Sequence, residues 1–157
     1  MPLRLHDTRR REKVDFTTQS PGKVGMYVCG VTVYDRCHLG HARCYIAFDL
    51  IHRWLEASGY DVDYVQNFTD IDDKIIKRSI ESGEDWKELV EKNIETYYED
   101  MDSLNILRAD HYPRCTEYVD SMIHIIEDLI QKDHAYTAKD GVYFHVESAP
   151  DKYGQLT

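Results

Sequence analysis

The fold of this chain is decided by the stretch YVCGVTVYDRCHLGH, residues 27–41. A short apolar run, Val24 to Val28, leads into this stretch and exits through Cys29-Gly30. A polar connection follows, and His38-Leu39-Gly40-His41 then opens an amphipathic segment. This order predicts a buried strand, a loop and the N-terminus of a helix.

The predicted helix start is a candidate anion site. A helix N-terminus presents unpaired backbone N–H groups and the positive end of the helix dipole, which together favour phosphates. His38 and His41 are three residues apart and share one face of the first turn, and Gly40 leaves room for a closely approaching ligand. Histidines in a first turn are often ordinary polar residues. Here they follow a strand, where α/β folds collect their ligands, so we favour a nucleotide phosphate site.

The residues around this stretch predict a parallel β–α–β unit. Apolar residues recur at helical spacing from Leu39 to Trp54, and Ser58-Gly59 ends that helix. Asp61 to Phe68 is a second strand, which the right-handed crossover rule places parallel to the first. Residues 1–22 are expected to be irregular because they contain several turn-forming pairs.

Three more helices and a hairpin are predicted downstream. The first of these helices opens at Thr69-Asp70 and stops at Gly83, and its apolar stripe is Ile71, Ile75, Ile76 and Ile80. The second runs from about Asp85 to Leu104 and has an acidic, solvated face. The third follows Pro113 and ends near Lys132. Lys139-Asp140-Gly141 then predicts the turn of a β-hairpin.

The charge of the chain is concentrated in its middle. The net charge is −10, and residues 81–133 alone carry five basic and fifteen acidic residues. A nucleic-acid-binding surface is basic, because neutralisation of phosphates supplies most of the affinity. This chain by itself is therefore expected to bind nucleic acid weakly or not at all.

Cysteine usage and hydropathy predict a cytoplasmic protein with no membrane partner. The four cysteines are not preceded by a secretory signal, so we expect reduced thiols. No apolar run approaches the length of a membrane span. The roles of three thiols stay open at this point: Cys37, Cys44 and Cys115.

The motifs of this chain resemble a known family. His38-Leu39-Gly40-His41 is similar to the first signature of class I aminoacyl-tRNA synthetases, usually spelled His-Ile-Gly-His. Three further segments narrow the resemblance to the cysteinyl-tRNA synthetase family: MYVCG at 26–30, TVYD at 32–35 and NFTDIDDKIIKR at 67–78. The resemblance continues through residues 104–108 and Tyr153-Gly154, and it covers only the first part of such an enzyme.

The resemblance implies an α/β fold. We expect the first half of a Rossmann-like class I synthetase nucleotide-binding fold, a parallel β–α–β unit, followed by helices and the start of an inserted domain with a β-hairpin. Residues 1–112 would form the N-terminal half of the catalytic domain with its following helices. Residues 113–157 would begin the connective insertion.

The resemblance also implies an activity and its site. The family activates L-cysteine with ATP and Mg²⁺ to cysteinyl adenylate, then transfers the cysteinyl group to tRNA(Cys). It implies that His38 and His41 are catalytic and contact ATP together with Gly40. It implies that Cys29 is a ligand of Zn²⁺, whose coordination is completed by the substrate thiolate. The residues implied to bind cysteine are Tyr27, Gly30, Thr32 and Thr69.

Several of these residues have simpler interpretations. Cys29 could be a small buried residue. Thr69 could cap the next helix with Asp70, and Asp70 with Asp73 resembles an acidic capping box. Asp72 and Asp73 could suggest a magnesium site, although favourable charges at a helix start explain them better.

Parts of the family pattern do not occur before Thr157. The Lys-Met-Ser-Lys-Ser signature that clamps the triphosphate and the family's remaining zinc ligands are missing. We therefore expect the 157-residue chain alone not to complete adenylation, to offer zinc one ligand, and to associate with a missing C-terminal half.

Two other functions compete with this interpretation. An ATP-dependent ligase that joins cysteine to an amino sugar in mycothiol synthesis shares the scaffold. That family tends to have Thr-Pro-Tyr-Asp and Asp-Asp-Pro, whereas this chain has Thr32-Val33-Tyr34-Asp35 and Asp72-Asp73-Lys74. The other alternative is a truncated, non-catalytic paralogue or partner-binding module.

Overall fold

The computed structural model describes residues 3–150 and 152–156 and divides into two compact units. One unit is Thr18–Glu117, and the other combines residues 1–17 with 118–157. Each unit is described by itself below. The domain boundary between residues 112 and 113 stays a prediction.

The N-terminal residues form a hairpin, so the prediction of an irregular segment over residues 1–22 was wrong for this part. Strands β1 (Arg4–Asp7) and β2 (Glu12–Asp15) pair antiparallel, with Leu5 opposite Val14. The turn is closed at Asp7, whose carbonyl accepts the Arg11 N–H at 2.7 Å. Turn-forming residues were expected in this segment, but two apolar residues are too few to reveal the strands on either side of the turn. Residues 1 and 2 lie outside the described residues.

The predicted parallel β–α–β unit is confirmed in Thr18–Glu117. Strands β3 (Lys23–Val28) and β4 (Asp61–Gln66) pair in parallel, with Val24 opposite Val62. Helix α1 (Leu39–Ala57) connects them and packs on β4. It buries Tyr45, His52 and Leu55.

A third extended segment lies along β4, and the sequence analysis missed it. Residues 110–115 run parallel to β4 without forming a regular strand. Pairing hydrogen bonds run from Asp110 N–H to Tyr64 O (2.8 Å), Gln66 N–H to His111 O (3.0 Å), Phe68 N–H to Pro113 O (2.9 Å) and Cys115 N–H to Phe68 O (3.2 Å). Three parallel segments therefore end at the same edge of the unit, which is where α/β folds place their ligands.

The helix after β4 begins later than predicted. Helix α2 (Asp73–Ser82) has Asp72 as its N-cap, and the Asp72 carboxylate accepts the Lys74 N–H at 2.8 Å. The interpretation of Thr69, Asp70 and Asp73 as its cap was therefore wrong, because Asp70 is buried and contacts a distant segment. The stop at Gly83 is confirmed, with a left-handed φ of 71°. Of the predicted isoleucine stripe only Ile75 is buried; Ile71, Ile76 and Ile80 are exposed.

Helix α3 (Trp86–Ser103) confirms its prediction and supplies much of the core. It is capped by Asp85 and ends at Leu104. Its buried face packs with Phe68, whose ring contacts Tyr97, Tyr98 and Tyr112. The acidic residues Glu91, Glu95 and Glu99 are exposed, as expected.

A polar side chain crosses this core with its hydrogen bonds satisfied. Gln66 is buried, accepts the Tyr64 O–H at 3.1 Å and donates to the Tyr97 oxygen at 2.5 Å. Burial raises the pKa of Tyr64 to about 12. Both phenols therefore stay protonated near neutrality, since burial also raises the pKa of Tyr97.

The unit containing residues 118–157 confirms the predicted helix and hairpin. Helix α4 (Val119–Gln131) contacts strand β5 (Ala135–Ala138), which pairs antiparallel with β6 (Gly141–Phe144). Because Ala138 lies opposite Gly141, the two residues of the turn are Lys139 and Asp140, and Gly141 already belongs to β6. Within residues 3–150 and 152–156, no helix is both long and apolar enough to cross a membrane.

Candidate active site

The two motif histidines cap helix α1 reciprocally. His38 is the N-cap, and its Nδ1 accepts the Gly40 N–H at 3.0 Å. His41 Nδ1 in turn accepts the His38 N–H at 3.2 Å, and the two rings stack with their centroids 4.0 Å apart. This is a capping box in which imidazoles replace the usual Ser or Thr and Glu or Gln.

The cap determines which atoms of the histidines can meet a ligand. A backbone N–H can only donate, so each Nδ1 must be an unprotonated acceptor and a neutral ring carries its proton on Nε2. Burial, and secondly the neighbouring His38, lowers the pKa of His41. With each Nδ1 used as an acceptor, each ring keeps its Nε2–H as a donor. The backbone N–H groups of Gly40 and His41 donate within the cap, and the anion site expected at this helix start stays a prediction.

Gly40 lies directly against the His38 ring of the cap. A Cβ at this position would lie 2.7 Å from His38 Cε1 and 2.9 Å from its Nδ1. The space left by the missing side chain is therefore occupied by the His38 ring. This differs from the expectation that Gly40 makes room for a ligand.

The predicted amino-acid-binding residues converge on one side chain that the sequence analysis missed. The Oδ1 atom of Asn67 accepts the Gly30 N–H at 2.8 Å and the Tyr27 O–H at 2.9 Å, and its Nδ2 donates to Thr69 Oγ1 at 3.4 Å. Thr32 lies beside Thr69 through a parallel bridge. The structure thus brings all four predicted residues to the carboxyl edge of β3 and β4. The available signal was a polar residue directly after the second strand.

Cys29 is an exposed, free thiol, so its interpretation as a buried small residue was wrong. It follows β3 directly, and its carbonyl accepts the Tyr45 O–H at 3.3 Å. All four cysteines are free. Burial, and secondly Asp100, raises the pKa of Cys37 to about 11, which keeps that thiol protonated.

The donor set fits zinc only in part. An accessible thiol is a good zinc ligand. In the described part of the chain, however, no group of three Cys, His, Asp or Glu side chains could hold a metal ion.

Asp70 is a second residue that the sequence analysis misjudged. It is buried, and its carboxylate accepts the Thr116 N–H at 3.0 Å and the Thr116 hydroxyl at 2.5 Å. These bonds join the end of β4 to the segment that follows residues 110–115. Asp70 therefore holds its neighbour Thr69 in place at the candidate site.

Acidification is expected to weaken the histidine cap. Because the pKa of His41 is below its usual value of 6.5 in the folded protein, the unfolded chain binds the proton more tightly. The stabilisation from neutral His41 is fully present above about pH 6.5 and is lost as the pH falls through the lowered pKa. We expect the free energy of unfolding to decrease over this acid range, measured by urea denaturation at a series of pH values.

A matched pair of variants tests this assignment. His41→Gln keeps a side chain that suits the third position of a capping box but does not titrate, so the pH slope should become shallower. His124→Gln removes an exposed histidine of α4 and reports the effect of losing any imidazole. A His41→Gln protein with the wild-type slope would contradict the role of His41.

Comparisons with known proteins place the chain in a family. The profile described as "tRNA synthetases class I (C) catalytic domain" matches residues 15–157. The chain belongs to this family. The resemblance drawn from the motifs is thereby confirmed, and the family is one of aminoacyl-tRNA ligases.

Two relatives show how much of such a protein the chain represents. The cysteine–tRNA ligase of Thermococcus gammatolerans is 54% identical over 157 residues, covering 100% of this chain and 33% of the relative. That of Maridesulfovibrio salexigens is 52% identical over 156 residues, covering 99% of this chain and 32% of the relative. The chain therefore spans about a third of the length of these relatives.

Solved structures agree with this family's fold. A Mycobacterium tuberculosis methionyl-tRNA synthetase in complex with methionyl-adenylate superposes with a TM-score of 0.62 at 23% identity, covering 71% of this chain and 23% of that one. An Agrobacterium radiobacter LeuRS–tRNA–LeuAMS ternary complex gives 0.62 at 22% identity, covering 75% of this chain and 16% of that one. The fold class is therefore that of the class I synthetase catalytic domain, as predicted.

Proposed function

We propose that this protein is a cysteine–tRNA ligase, which activates L-cysteine with ATP and passes it to tRNA(Cys). One observation carries the proposal: the exposed Cys29 thiol stands at the carboxyl end of β3, beside the Tyr27, Gly30, Thr32 and Thr69 cluster. An accessible thiol at this position suits the recognition of a thiol substrate through a shared metal. The relatives described above bear the same activity in their names.

The histidine cap would act on the phosphates of ATP. Its two Nε2–H groups are neutral donors held in place by bonds that their own Nδ1 atoms make. In the first step the cysteine carboxylate attacks the α-phosphorus in line and pyrophosphate leaves. Donors that are already positioned stabilise the charge on the phosphate oxygens without rearranging during the reaction.

The Asn67-centred cluster would hold the amino acid. Thr69 and the Tyr27 ring flank the ends of β3 and β4, where the α-amino and carboxylate groups of cysteine would lie. Cys29 would be one ligand of Zn²⁺, and a bound zinc ion would select cysteine over serine because it prefers a thiolate. That preference discriminates by coordination chemistry and needs no editing site.

The surface charge bears on the tRNA partner. The excess of negative charge in residues 81–133 repels a phosphate backbone, so we propose that tRNA does not dock on the acidic outer face of α3. Translation takes place in the cytoplasm, and we propose that location for this activity.

The test is cysteine-dependent exchange of pyrophosphate into ATP by the purified protein at its full native length. Exchange with L-cysteine and its absence with L-serine are expected. Charging of tRNA(Cys) is measured in parallel, because a ligase that transfers cysteine to an amino sugar would give exchange without charging. Exchange that does not depend on cysteine would contradict the proposal.

Cys29→Ser tests the metal-binding thiol. Loss of one zinc ligand is expected to lower the zinc content and to raise the KM for cysteine by about 100-fold, since changes to metal sites typically cost 10- to 100-fold or more. Cys44→Ser replaces another exposed thiol and is the matched control, with wild-type zinc content and KM expected. Wild-type zinc content in Cys29→Ser would show that Cys29 is not a ligand.

A further inference from the structure

We infer that Asn67 is the positioning residue of the amino-acid pocket, an inference that rests on the proposed function. Asn67 is partly buried directly after β4 and reaches across to the end of β3. Its single carbonyl oxygen accepts two hydrogen bonds, from Gly30 N–H at 2.8 Å and Tyr27 O–H at 2.9 Å. Cys29 lies between these two residues in the sequence, so one atom holds the Gly30 backbone on one side of the thiol and the Tyr27 side chain on the other.

The chemistry of the contacts explains why an amide suits this position. Gly30 N–H can only donate, so the atom that faces it must be the amide oxygen. The Nδ2 group is then directed to Thr69 Oγ1, at 3.4 Å. Asparagine thus accepts towards β3 and donates towards Thr69. An aspartate would keep the two acceptor contacts, a leucine would keep none, and neither could donate to Thr69.

The main chain of Asn67 also packs closely against Gly30. A Cβ on Gly30 would lie 1.5 Å from the main-chain carbonyl oxygen of Asn67, so there is no room for a side chain between these two segments. The Tyr27 side chain, by contrast, is 63% exposed. The hydrogen bond to Asn67 therefore restrains a ring that is largely exposed to solvent.

The test compares kinetic constants of the full-length protein in the cysteine-dependent exchange assay. Asn67→Ala is expected to raise the KM for cysteine about 10- to 100-fold, the effect of losing two to three hydrogen bonds, while the KM for ATP changes less than about twofold. Asn67→Asp keeps the two acceptor contacts and should give a KM for cysteine between those of wild type and Asn67→Ala. Tyr97→Phe removes the buried hydrogen bond from Gln66, which involves none of the residues bonded to Asn67, and is the control for loss of stability alone.

Each outcome decides the inference. Equal changes in both KM values for Asn67→Ala, or the same selective change in Tyr97→Phe, would overturn it. If Asn67→Ala does not fold, Tyr27→Phe removes one of the same bonds, and an unchanged KM for cysteine in that variant would overturn it. A wild-type protein without cysteine-dependent exchange would overturn the proposed function and, with it, this inference. A wild-type protein with that exchange, combined with one of the contrary variant results above, would overturn this inference alone.

Discussion

Replacing Gly30 with alanine is expected to destabilise the protein by about 3 kcal/mol or more, a large effect for one methyl group. The new Cβ would lie 1.5 Å from the carbonyl oxygen and 2.7 Å from the carbonyl carbon of Asn67. Both atoms belong to the backbone, so the contact cannot be relieved by rotating a side chain. Separating the ends of β3 and β4 would also lengthen the Gly30 N–H bond to Asn67 Oδ1.

Gly25→Ala is the matched control for this prediction. Gly25 lies on β3, five residues before Gly30, and a Cβ there would meet no atom within 4 Å. Its replacement should therefore be neutral or slightly stabilising, because alanine loses less backbone entropy on folding than glycine. The measurement is urea denaturation of the full-length protein followed by far-UV circular dichroism. Equal stability of the Gly30 and Gly25 variants would show that the close approach is not rigid.

Replacing His38 with alanine is expected to lower the rate of cysteine-dependent exchange by about 100- to 1000-fold. This loss is typical when one preorganised hydrogen-bond donor that stabilises the charge developing in the transition state is removed. The KM for ATP should change much less than kcat, since the donor acts mainly in the transition state. His38→Ala also removes the N-cap of α1, which by itself costs about 1 kcal/mol of stability.

A second substitution separates the two roles of His38. Asparagine is a good N-cap, so His38→Asn should restore most of the stability lost in His38→Ala. Its short side chain reaches the position of Nδ1 but not that of Nε2, so the rate should stay about 100-fold below wild type. Recovery of the wild-type rate in His38→Asn would show that His38 acts only as a cap.

Some elements were predictable because their signals are local in the chain. The spacing of apolar residues from Leu39 onward, with Ser58-Gly59 after it, was sufficient to place α1. Gly83 and Asp85 likewise marked the end of one helix and the start of the next. Family membership could also be predicted from the sequence, because the His38–His41 motif and the segment after β4 are each a continuous stretch of residues.

The errors lie where the deciding contacts leave no clear pattern in the sequence. Asp70 was interpreted as a helix cap, a local role, but the carboxylate is bound by Thr116, 46 residues later. The pairing of residues 110–115 with β4 depends on backbone hydrogen bonds, which leave no side-chain pattern in the sequence. The β1–β2 hairpin was missed because its strands have four residues each and a single facing apolar pair.

The sequence by itself determined the parallel β–α–β order, the ends of α1 and α3 and the set of chemical groups available: two imidazoles, a thiol and a threonine pair. The reciprocal cap of α1, in which each imidazole accepts through Nδ1 and keeps Nε2–H as a donor, is local in the chain. Only the tertiary structure decided how the groups of the pocket are joined, because it connected Tyr27, Gly30 and Thr69 through Asn67. Hydrogen bonds between residues about 40 positions apart depend on the register of β3 against β4, which a linear pattern does not encode.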